Sequence, residues 1–110
     1  MPSTKSLLFV ADRPFGCGIQ ARELLEMMLS AAAFNVSTAL LLRGAGISWL
    51  HAGECLERLR ELPLYGADTL YVSGDELSAW GDPGLPEFLT ALRGEEVRQL
   101  YRQYGRVIQP

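Results

Sequence analysis

Five short apolar runs, each parted from the next by a stretch of helical periodicity, set the narrowest bound on what this chain can fold into. "SLLFVA" at 6–11 and "VSTALLL" at 36–42 are almost unbroken in their apolarity, as strands are when both faces of a parallel sheet are covered. "TLYVS" at 69–73 reads as a third strand, "EFLTAL" at 87–92 as a fourth and "GRVIQ" at 105–109 as a fifth. Between the first two, Gln20, Arg22, Glu23, Glu26 and Ser30 gather on one side of a helix over 19–34, and Leu24, Leu25, Met28, Leu29, Ala31 and Ala32 line the other. That apolar arc is wider than the roughly 100° needed to pack on one sheet face, which predicts that part of it meets a partner. A short helix over 54–62, another near 74–80, and a last one with Val97, Leu100, Tyr101 and Tyr104 at i, i+3, i+4 and i+7 complete the alternation.

Strands alternating with helices mean βαβ units. The expected class is therefore α/β, a three-layer α/β/α sandwich with a mostly parallel five-stranded sheet and flavodoxin-like layering. Several right-handed windings satisfy this element order, so strand order stays open. Sites in such sheets form at the carboxyl ends of the strands, which selects the loops 12–18, 43–53 and 73–76.

With 110 residues the chain suits one domain, 1–110, and the Pro/Gly-rich "GDPGLP" at 81–86 is turn chemistry within it. The net charge of −3 and the scatter of the ten basic residues disfavour direct nucleic-acid binding. The apolar start is too short for a secretory signal and no window reaches the length of a membrane span, so the expected compartment is cytoplasmic, with Cys17 and Cys55 as thiols.

Ser73 is the first candidate for chemistry. A serine nucleophile needs a base, His51 is the only histidine, and the residues around Ser73 read "YVSGD", not G-x-S-x-G. Ser73 and Glu76 fit S-x-x-E instead, a capping box for the helix that follows. Asp75 and Glu76 read as first-turn acids favoured by the helix dipole. Cys17, between Gly16 and Gly18 before a helix, could be a thiol of lowered pKa or simply a small hydrophobe in a tight turn. The surrounding glycines match neither G-x-G-x-x-G nor the Walker pattern, and a flavodoxin-like nucleotide or flavin binder is a third function class. Cys17, His51 and Cys55 have no zinc spacing, and no cofactor is implied. Trp49 and Trp80 could be interface aromatics or partly buried structural ones.

The order of "LLFVADRPFG", "ARELLEMMLSAAAF", "VSTALLLRGAGISWL", "LPLYGADTLYVSGDELSAWG" and "YGRVIQ" resembles the DsrE/DsrF/DsrH family of sulfur-relay proteins over essentially the whole chain, most closely its TusC-like (DsrF-like) branch. The resemblance implies a subunit of a sulfurtransferase complex, a dimer of heterotrimers with TusB-like and TusD-like partners. Such complexes pass persulfide sulfur from a TusA-like donor to a TusE-like acceptor for 2-thiouridine at tRNA wobble positions, and a DsrF-like counterpart serves sulfur oxidation. The family carries sulfur on a cysteine just after the third strand, and that position falls on Ser73. A hydroxyl has no persulfide chemistry, and Asp75 and Glu76 would repel a neighbouring thiolate. The expected role is thus a non-catalytic subunit, with a sulfurtransferase using Cys17 as the enzyme-class alternative.

Overall fold

The computed structural model describes residues 3–12, 20–34, 36–51, 53–65, 69–79 and 87–108. The apolar runs become β1 (Ser3–Ala11), β2 (Ser37–Leu42), β3 (Thr69–Ser73), β4 (Thr90–Leu92) and β5 (Tyr104–Ile108). They are joined by α1 (Gln20–Ala33), α2 (Gly53–Glu61), α3 (Gly74–Ala79) and α4 (Gly94–Gln103). Two 3₁₀-helical segments, Gly44–His51 and Leu62–Tyr65, flank α2.

The strands form one sheet in the order β4-β3-β2-β1-β5, and each neighbouring pair is parallel. The mostly parallel sheet expected from the sequence is therefore wholly parallel among the described residues. The interior position of β1 and β2 accounts for their unbroken apolarity, because Leu8, Phe9, Val10, Leu40, Leu41 and Leu42 are all but sealed from solvent.

Alternation along the strands divides the core in two. Phe9, Leu40, Leu42, Leu70 and Val72 face a layer built by α1 (Leu24, Leu25, Met28), the longer 3₁₀ segment (Ile47, Trp49, Leu50), α2 (Leu59) and α3 (Leu77). Leu8, Val10, Ala39 and Leu41 face the other way, onto Val97 and Leu100 of α4. Steps from β1 to β4 move in one direction across the sheet and keep their helices on one face. The return from β4 across to β5 puts α4 on the opposite face, as right-handed crossovers require.

Three local readings change. The segment after β2, expected as a loop over 43–53, is mostly 3₁₀ helix, because Ile47, Trp49 and Leu50 have core space to fill. Gly46 lets that segment press on β1: a Cβ there would lie 1.9 Å from the Ala11 carbonyl oxygen. The fourth strand is shorter than 87–92, since β4 is an edge strand paired among the described residues with β3 alone, and pairing begins at Thr90. Trp49 is 2% exposed, which removes it from the interface candidates and makes it a core residue. No helix among the described residues is long and apolar enough to cross a membrane.

Candidate functional site at the ends of β3 and β4

Helix α3 leaves β3 on one face of the sheet and α4 leaves β4 on the other, so the chain parts between the carboxyl ends of these two strands. That parting is where open α/β sheets form a ligand crevice. A cavity of about 300 Å³ lies there, lined by Arg43, Ser73, Asp75, Glu76, Val97, Arg98, Tyr101 and Gly94.

Each residue reaches the crevice for a local reason. Ser73 is the last residue of β3 and alternates with Val72, so its side chain lies on the α4 face. It is buried at 7% exposure, and its hydroxyl makes no hydrogen bond among the described residues. Arg43 follows β2 directly on the same face, and its N–H is held by the Ala11 carbonyl at 3.0 Å. Its Nη1 donates to the Tyr101 hydroxyl at 2.9 Å, and its Nη2 lies 3.8 Å from Glu76 Oε1. The bond to Tyr101 pushes the Arg43 pKa up, partial burial opposes it, and the carboxylates of Glu76 and Asp12 add to the rise. Arg43 is therefore a fixed positive charge.

Gly44 has φ +55°, a left-handed conformation suited to glycine, and it turns its N–H onto Glu76 Oε2. Asp75 Oδ2 accepts from the Gly94 N–H at 3.2 Å, the first residue of α4. The two acids in the first turn of α3 thus serve the starts of two other helical segments.

The capping box read at Ser73 and Glu76 does not form among the described residues, because the Glu76 carboxylate is drawn across the sheet end by Gly44 and Arg43. A carboxylate reaching back to a cap is found on α4 instead, where Glu96 Oε1 accepts from the Arg93 N–H at 3.0 Å and lies 3.4 Å from its Nε. That N–H holds the Glu96 carboxyl below the ordinary carboxylate range.

The crevice brings together Ser73, Asp75 and Glu76, all marked in the sequence. Cys17 and Trp80 lie outside the described residues, as do the side chains of His51 and Cys55. Sequence reasoning missed Arg43, Arg98 and Tyr101. Position after a strand and the face of α4 were the available signals, but only the pairing of β2 with β3 brings Arg43 to Glu76. With Asp75 and Glu76 engaged by backbone N–H groups, neither stands as a free base for Ser73.

A second hollow, of about 500 Å³, runs between α1 and the β5 edge, floored by Leu7, Phe9 and Ile108 and rimmed by Glu23, Glu26 and Met27. Met27 is 47% exposed there, and Phe34 beyond the end of α1 is 82% exposed. The apolar arc read on α1 packs on this chain's own core through Leu24, Leu25, Met28, Leu29 and Ala32, so it is not that arc but Met27 and Phe34 beside it that stay exposed.

An all-parallel α/β/α chain with its crevice at this strand parting has the fold of the YchN protein from E. coli, whose crystal structure superposes with a TM-score of 0.80 over 100% of both chains at 13% sequence identity. In sequence, the chain is 28% identical to a protein TusC homolog of Pseudomonas aeruginosa, over 96% of this chain and 98% of that protein. The TusC resemblance read from the residues is thereby borne out at nearly full length. No protein-family model matches the chain.

Proposed function

We propose that the chain is a TusC-like, non-catalytic subunit of a cytoplasmic sulfur-relay complex, supporting persulfide transfer for 2-thiouridine synthesis at tRNA wobble positions. The observation that carries this reading is the near-full-length similarity to a TusC homolog in a chain whose β3 ends on a hydroxyl, Ser73, where the family resemblance places a thiol. Oxygen cannot hold a transferable sulfane sulfur, so the relay cysteine belongs to another subunit. TusB-like and TusD-like chains are the partners, in a dimer of heterotrimers. A TusA-like donor and a TusE-like acceptor meet the complex and not this chain alone. The exposed apolar surface along α1 supports a role in assembly, since a side chain such as Met27 gains little by remaining in water. The test is co-expression with TusB-like and TusD-like proteins followed by size-exclusion chromatography with light scattering. Co-elution as one large species is expected, and a chain that elutes alone under these conditions would sink the proposal. A DsrF-like role in sulfur oxidation shares the assembly and differs in the acceptor. Loss of wobble thiolation on deletion of the gene is expected here, and intact thiolation would favour that alternative.

A further inference from the structure

The β3/β4 crevice draws two arginines, two acids and a buried hydroxyl together at the ends of the strands. Arg43, Arg98 and Gly94, the first residue of the ten-residue α4, line the cavity, and the Gly44 N–H that opens the 3₁₀ segment meets its edge through Glu76. Ser73, more than nine-tenths buried, also lines it, and its hydroxyl has no hydrogen-bond partner among the described residues. Converging N–H groups, arginines and a hydroxyl are the donor set that recognises a small oxyanion. In this chain, anions already sit on that set: Glu76 on Gly44 and Arg43, and Asp75 on Gly94.

We propose that this crevice is an oxyanion site kept from external anions by two resident carboxylates, Asp75 and Glu76. The two acids match the two arginines in charge, so an incoming anion gains little net attraction and meets like charge at contact distance. This selectivity is a property of the crevice, whichever subunits the chain joins. The substitutions Asp75→Asn and Glu76→Gln keep an oxygen acceptor for Gly94 and Gly44 and remove only the charge, leaving Arg43 and Arg98 uncompensated.

The experiment is titration of the purified full chain with inorganic sulfate at low ionic strength, followed by isothermal calorimetry. The parent chain is expected to bind sulfate weakly, and the D75N/E76Q chain about tenfold or more tightly, as loss of two nearby negative charges implies. Arg98→Ala in the D75N/E76Q background should return affinity towards the parent level, which locates the ion in the crevice. Parent binding as tight as the double variant's would overturn the proposal. So would a double variant, folded by circular dichroism, that gains no affinity, or one whose gain survives R98A. If the double variant does not fold, D75N and E76Q are each measured alone; an intermediate gain in at least one is expected, and none in either is contrary.

Discussion

At the residue scale, the bonds that Ser73 and its neighbours make, or lack, decide how the crevice responds to substitution. With no hydrogen bond to lose among the described residues, Ser73→Ala should change stability in urea by less than about 0.5 kcal/mol, whereas a true N-cap serine costs about 0.5–2 kcal/mol. Tyr101→Phe removes the acceptor of Arg43 Nη1 and should cost about 1 kcal/mol by the same measurement, because a half-buried guanidinium then loses one of its two side-chain partners. Glu96 supplies a pH prediction. Its folded pKa is depressed by the Arg93 N–H, so its contribution is present above the ordinary carboxylate pKa and is lost as pH falls through the lower folded value. Acid unfolding followed by melting temperature should therefore show a smaller loss on acidification in Glu96→Gln than in the parent. A steeper loss in the variant would reverse the sign and contradict the assignment. Of these residues, Ser73, Asp75 and Glu76 were legible in the sequence as a group. Their bonds were not, because S-x-x-E predicts a local partner for Glu76, whereas the nearest strong donors come from a residue 32 positions away.

At the scale of elements, β1 and β2 could be read from near-unbroken apolarity, since interior strands of a parallel sheet have no polar face, whereas β3 was legible from its alternating Leu70 and Val72 among β-prone residues. The edge strand β4 was over-extended, as an edge lacks that constraint and Leu89 is buried just before pairing begins. The 3₁₀ segment was invisible to a search for α-helical or strand periods, yet it presses directly on the β1 backbone. Gly46 sits against the β1 backbone, where a Cβ would meet the Ala11 carbonyl and force the backbone apart. Gly46→Ala should accordingly cost about 3 kcal/mol or more in chemical denaturation, because backbone cannot yield as a flexible side chain does. A loss within 0.5 kcal/mol, about what a surface change produces, would show that the segment is not packed in this way.

For the whole molecule, an all-parallel sheet with α1, α2 and α3 on one face and α4 on the other places a crevice of mixed charge at the β3/β4 ends and an apolar hollow beside the β5 edge. The sequence carried the layers and the similarity to TusC; it did not carry the order of the strands, which follows from one crossover from β4 to β5 that no local pattern encodes. The central claim is that this chain assists sulfur transfer without carrying sulfur itself. The most direct measurement is to expose the co-purified assembly to a persulfide donor and locate the added sulfur by peptide-resolved mass spectrometry. Added sulfur on a cysteine of a partner subunit, with none on this chain, is the predicted result. Sulfur on this chain's own Cys17, acquired with or without its partners, would contradict the account.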